Sequence, residues 1–284
     1  MKLSEAWTLY EADKRLLGYS PYTLKAYGLQ SRLLMEFLGD VEIEEITFVQ
    51  LKQYLAAQTH LKPSSIGHRI RFLKSLFRWA QDEGYITGNP ASKLQEPKMP
   101  QRIPKALSDE DIELLRIGCQ SPLEHALVEF MYSTGCRIGE VHKLTRNAID
   151  WDSRSVVVFG KGSKEREVYF TIRASIWLKR YLRARKDNSE ALFVTERKFE
   201  GGEPRRMSIA QIRCVLKRVA KRVEVQANVY PHKLRHSYAT HLLNNGAPLE
   251  LIQSYLGHAK LETTRLYAVL SGNRRRELYQ RYFG

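Results

Sequence analysis

The sequence predicts a mainly α chain with a small β-sheet, built as a helical N-terminal unit followed by a larger mixed α/β unit. Three observations predict it. Apolar residues recur at helical spacing through most of the chain, punctuated by Ser-Pro starts and Gly stops. The stretch "SVVVFGKGSKEREVYF" instead sets β-branched and aromatic residues around a Gly-Lys-Gly-Ser-Lys turn. Between the units, "EPKMPQRIPK" (Glu96 to Lys105) carries three prolines and no periodic apolar pattern, which reads as an extended linker. At 284 residues the chain suits two domains, expected at 1–96 and 106–284 around a linker at 97–105.

In order along the chain, "SPYTLKAYGLQSRLLMEFLGD" opens with Ser20 as N-cap and Pro21 in the first turn, where its missing N–H costs nothing. Leu24, Tyr27, Leu34 and Leu38 lie near one apolar face, and Gly39 stops the run. "TFVQLKQYLAAQ" is a shorter amphipathic helix. "KPSSIGHRIRFLKSLFRWAQDEGY" turns Ile66, Ile70, Leu73, Phe77 and Ala80 inward and Arg69, Arg71, Lys74 and Arg78 outward. That basic face suits a DNA backbone, and equally suits an ordinary solvated helix. The second unit starts at "LSDEDIELLRIG", where Ser108 and Asp111 have capping-box spacing. "SPLEHALVEFMYSTG" repeats the Ser-Pro start and Gly stop. The hairpin follows, then helices at about 172–186, 208–223, 231–244 and 248–256. The tail "GNRRRELYQRYFG" (272–284) reads as a short amphipathic helix with Leu278, Tyr279, Tyr282 and Phe283 on offer to a neighbour or to its own domain.

Charge is unevenly shared. Residues 1–100 hold 13 basic and 11 acidic side chains, leaving 33 and 20 for residues 101–284, a net charge of +13 within the total of +15. Such a field suits a polyanion, nucleic acid before membrane. Cys119, Cys136 and Cys214 are far apart and form no CxxC pair, so neither a disulfide framework nor a zinc ribbon is encoded. "MKLSEAWTLYEADKRLL" contains acidic residues, unlike a signal peptide, and no stretch is long and apolar enough to span a membrane. The expected setting is the reducing cytoplasm, at the nucleoid.

Three stretches combine polar residues with tight local geometry. "TGCRIGE" ends one helix at Gly135 and begins another, with Arg137 at the corner and Glu140 one turn later. "FGKGSKERE" puts Lys161 and Lys164 in the hairpin turn, but lacks the P-loop spacing. "PHKLRHSYATHLL" sets His232 and Arg235 three apart on one helical face, and "LGHAKLETTRLYAVL" places His258 at a junction and Tyr267 on the next helix. Taken singly, each has an ordinary explanation: a cap, solubilising lysines, core histidines, a rim tyrosine.

Together and in this order, they resemble the tyrosine recombinase, or phage integrase, family, closest to its short two-domain members that resolve chromosome, plasmid or transposon dimers. "TGCRIGE" is similar to the family's first arginine motif, "GKGSKER" to its lysine hairpin, "HKLRHSYATHLL" to its His-x-x-Arg motif and "LGHAKLETTRLYA" to its His-and-tyrosine motif. The resemblance implies a helical core-binding domain and a mixed α/β catalytic domain. It also implies phosphate-binding roles for Arg137 and Arg235, a catalytic lysine at Lys161 with Lys164 as second candidate, and histidine positions at His232 and His258. Glu140 becomes the accessory acid and Tyr267 the nucleophile. Cys136, Gly139 and the "AVL" after Tyr267 depart from the family pattern, none at a catalytic position.

The residue types suit phosphodiester transesterification. A phenol with an unperturbed pKa of about 10 must lose its proton during attack, which cations assist and a histidine can accept. Two guanidiniums match the equatorial oxygens of a pentacoordinate phosphorus. Lys161 can protonate the departing 5′ oxygen. Phosphate neutralisation by arginines makes a metal unnecessary, so neither metal nor cofactor is expected. His236 lies four from His232 but without the intervening acid of a zinc-peptidase motif, so it and His241 are expected to pack or hydrogen-bond inside the domain. The implied partners are double-stranded DNA recombination sites and three further copies in a tetramer, with DNA-bending proteins as possible accessories. The alternatives are an integrase or excisionase of a mobile element, a type IB topoisomerase-like nicking-closing enzyme, and a DNA-binding regulator with a degenerate site.

Overall fold

Four helices make the N-terminal unit, Met1–Gln101, in a computed structural model of the chain that describes residues 1–98, 106–160, 165–196, 204–225, 227–257 and 279–283. They are α1 (Leu3–Leu16), α2 (Pro21–Leu38), α3 (Phe48–Ala56) and α4 (Pro63–Asp82). Local capping sets the starts of α2 and α3. The Ser20 hydroxyl accepts the Thr23 amide ahead of Pro21, and Thr47 and Gln50 form a reciprocal capping box. Tyr10, Leu34, Leu51, Leu73, Leu76 and Phe77 fill the core between these helices. Most of the stability of such helices comes from burying their amphipathic faces rather than from intrinsic propensity.

One expectation for α4 fails. Arg69 is buried, not outward: its Nη1 donates to the Tyr54 hydroxyl at 2.7 Å and its guanidinium lies over the Tyr54 ring. The stem crosses the edge of the apolar face, and a phenol supplies both a π surface and an acceptor for the head. Arg71 and Arg78 are exposed, paired with Glu96 and Asp82, and Lys74 is half-buried.

The second unit, Arg102–Gly284, is organised around α6 (Pro122–Thr134), which is buried on nearly every side. It packs against α8 (Ile172–Ala184), α9 (Ile209–Arg222) and α10 (Pro231–Asn244). The Ser108–Asp111 capping box opens α5 (Asp109–Gly118), and α7 (Ile138–Lys143) is a single short helix directly after α6. α11 (Leu249–Leu256) follows α10. The sheet is antiparallel in the order β1 (Ile149–Asp150), β2 (Ser155–Phe159), β3 (Glu165–Tyr169), with Val156 opposite Val168 and Val158 opposite Arg166. Val156, Val158 and Val168 are buried while Val157, Phe159 and Tyr169 are exposed, so one face covers the core. β1 is a third strand beyond the hairpin that the sequence reveals. Among the described residues, no helix is long and apolar enough to cross a membrane.

Candidate active site

Two glycines build the corner. Gly135 ends α6 at φ 60° and Gly257 ends α11 at φ 59°, both in the left-handed conformation that favours glycine. Each is also closely packed. A Cβ on Gly135 would lie 2.4 Å from the Tyr238 ring, and one on Gly257 would lie 2.9 Å from the Arg166 side chain.

The arginines fasten to these helix ends. Arg235, on α10, is buried and donates through Nη1 to the Gly135 carbonyl and through Nη2 to the Leu256 carbonyl, both at 2.6 Å. Arg137 caps α7, and its Nη2 donates to the Gly257 carbonyl at 3.2 Å. Helix C-termini concentrate unpaired carbonyls and partial negative charge, so cations settle there. Arg137 and Arg235, far apart in sequence, therefore converge on two adjacent carbonyls at the end of α11.

Glu140 ties Arg137 in place. Its Oε2 accepts the Arg137 amide at 2.7 Å and its Oε1 accepts Arg137 Nη1 at 3.0 Å. Burial pushes this carboxyl up, but hydrogen bonds from Arg166 and from the Arg137 amide outweigh it and hold the pKa below the ordinary range. Arg166, on β3, grips both oxygens at 2.8 and 2.7 Å and donates from Nε to the Tyr255 carbonyl at 2.8 Å. Sequence reasoning passed over Arg166. The signal was there: alternation along β3 puts it on the inward face beside Val168, an unusual place for a lone cation.

His232 stands in the first turn of α10, one turn before Arg235. Partial burial lowers its pKa, and Arg235, Arg137 and Arg213 push the same way. His236 is buried. His241 sits inside the domain: Nε2 donates to the Leu107 carbonyl at 3.1 Å, which leaves Nδ1 to accept the Tyr132 hydroxyl at 2.5 Å. Cys136 is buried and its thiol is pushed up to about 11 by burial, so it packs and does not react. Lys161, Lys164, His258 and Tyr267 lie outside the described residues. The described site is thus the arginine pair, its acid and one histidine.

The phage integrase family model matches residues 105–274. Tyrosine recombinase XerC of Oceanobacillus iheyensis is 34% identical over 278 residues, covering 92% of this chain and 90% of that protein. Tyrosine recombinase XerD of Ralstonia nicotianae is 34% identical over 280 residues, covering 93% and 89%. Among solved structures, XerA recombinase superposes with a TM-score of 0.58 at 26% identity, covering 99% of each chain. A lambda integrase dimer bound to a COC′ core site shares the fold, with a TM-score of 0.78 at 20% identity over 96% of this chain and 97% of that one.

Proposed function

From the fact that this chain belongs to the phage integrase family, as a tyrosine recombinase of Xer-like type that cleaves and rejoins DNA in site-specific recombination, we propose the roles of its individual side chains. Tyr267 attacks the scissile phosphorus, forming a 3′-phosphotyrosyl bond as the bond to the 5′ oxygen breaks. The phenolic proton passes to His232, and Lys161 gives a proton to the departing 5′ oxygen, with Lys164 as the second candidate. Arg137 and Arg235 neutralise the equatorial oxygens, with His258 as a further donor and Glu140 as the accessory acid holding Arg137. One P–O bond replaces another, so religation by a 5′-hydroxyl needs no ATP. If the hydroxyl comes from a second duplex, strands are exchanged.

The observation that carries this reading is the convergence of Arg137 and Arg235 on the adjacent carbonyls of Leu256 and Gly257. The chain continues from there directly into His258 and, nine positions on, Tyr267. Two permanently charged guanidiniums held on rigid helix ends suit a phosphate whose charge grows in the transition state.

The relatives whose solved structures hold recombination-site DNA support double-stranded DNA as partner: lambda integrase at a core site and XerH on a palindromic difH substrate. We further propose that the N-terminal unit grips that DNA. Four copies would assemble around two duplexes through the tail, whose Tyr279, Tyr282 and Phe283 are exposed. The work takes place on nucleoid DNA in the cytoplasm, with DNA-bending accessory proteins where site geometry requires them. Resolution of dimers or transposon cointegrates is the favoured task; integration or excision of a mobile element is the second reading.

The test uses a duplex selected by the protein from a randomised pool, placed twice in one plasmid. Two circles are the expected product; relaxed topoisomers alone would indicate a nicking-closing enzyme. Tyr267→Phe should keep DNA binding and lose every covalent adduct. Scission should proceed unchanged with EDTA present, and abolition by the chelator would overturn the metal-free mechanism.

A further inference from the structure

We propose that Arg166 is a positioning residue that acts through Glu140, serving as that carboxylate's counter-ion so that the charge of Arg137 stays available to the scissile phosphate. The inference rests on the reading of Arg137 as a phosphate ligand.

Charge and geometry carry it together. Glu140 is buried, and a buried carboxylate requires a cation. Two guanidiniums reach it, on opposite terms. Arg166 presents the two-pronged fork, one nitrogen per oxygen, at 2.8 and 2.7 Å with 11% of its side chain exposed. Arg137 gives one longer side-chain bond of 3.0 Å and leaves 33% exposed. The trio of one carboxylate and two guanidiniums has a net charge of +1. The closer bidentate pairing assigns the neutralised half to Arg166 and the surplus to Arg137.

The third bond of Arg166 makes the arrangement rigid. Its Nε donates to the Tyr255 carbonyl on α11, and its side chain passes so close to Gly257 that a Cβ there would sit 2.9 Å from it. One side chain on β3 thereby joins the acid of α7 to the end of α11, whose Gly257 carbonyl receives Arg137. Remove Arg166 and Glu140 retains a single cation, Arg137, which is drawn onto the carboxylate and away from a ligand.

The experiment is a double-mutant cycle read as the rate of covalent adduct formation on a nicked form of the selected duplex. Arg166→Gln is expected to slow adduct formation by about 100-fold, the scale of losing one preorganised electrostatic contact. Glu140→Gln keeps an oxygen for the Arg137 amide and removes the charge. The combined Arg166→Gln, Glu140→Gln protein is therefore expected to form adduct at least tenfold faster than Arg166→Gln alone. Arg166→Lys, which keeps the charge without the fork, should fall between wild type and Arg166→Gln. It keeps the proposal testable if Arg166→Gln does not fold. A double variant no faster than Arg166→Gln, or an Arg166→Lys protein as slow as it, overturns the counter-ion role and leaves Arg166 a plain strand anchor. Failure of the underlying reading shows differently: Arg137→Gln would then form adduct at the wild-type rate.

Discussion

His232 is the described titratable group whose environment most directly bears on the chemistry. Partial burial and three neighbouring arginines disfavour its charged form, so the imidazole is neutral at pH 7 and able to accept a proton. The sign follows: with the folded pKa below the ordinary 6.5, the unfolded chain binds more protons as pH drops. The neutral form's contribution to stability is therefore complete above about pH 6.5 and is lost as pH falls through the lower folded value. Adduct formation should likewise hold its rate below pH 6.5 before declining. Arg213→Ala removes one of the neighbouring cations, so its acid limb should move to higher pH in a pH–rate profile; an unmoved limb would mean that His232 is not the group titrating. At this scale the sequence was partly legible. His232 and Arg235 share a helical face by spacing alone, but the burial of Arg235 against two carbonyls depends on α6 and α11, which local pattern cannot bring together.

At the scale of elements, the helix starts were readable because they are local chemistry. Ser20, Ser108, Ser121 and Ser208 each accept the amide three residues on, as Ser-x-x spacing predicts. β1 is two residues long and carries no such signature. The outward-facing basic row of α4 was misread at Arg69 because helical phase fixes direction only to within a residue's width. Tyr54, from α3, decides which side of that boundary the guanidinium takes. Separate outcomes follow for the one face. Arg69→Ala should lower Tm by several degrees, through a buried phenol left without its partner, and leave the salt slope of DNA binding untouched. Replacing Lys74 and Arg78 with Ala should leave Tm alone and reduce the slope by about one unit per lost phosphate contact. Unchanged binding in the second variant would return that face to ordinary solvation. Gly135→Ala is the severe case for the catalytic unit. Left-handed backbone costs a non-glycine residue about 1–2 kcal/mol, and the new methyl also meets the Tyr238 ring. A fall in Tm of at least several degrees is expected, with adduct formation lost as the Gly135 carbonyl shifts under Arg235.

Across the whole molecule, the distribution of charge was written in the sequence and the convergence of the site was not. Residues 101–284 carry +13 of the total +15, yet much of that unit's basicity is already committed internally. Arg185 is closed onto Asp187, Arg222 onto Glu124, and Arg116 onto Glu129. Net charge counts such pairs as zero, so the +13 is an excess left after pairing and is available to phosphates. DNA binding should therefore be strongly salt-dependent, because each phosphate neutralised releases counter-ions and steepens the log–log slope by about 0.9. With about six contacts the slope is near −5, and affinity should fall by roughly a thousandfold between 50 and 200 mM salt. With Tyr267 as the proposed nucleophile, Tyr267→Phe is the protein to use, since covalent trapping would otherwise mask dissociation. A nearly flat titration would place the excess charge away from the DNA. The arginine pair would then have to bind its phosphate by local geometry alone, without the long-range field that draws the duplex in.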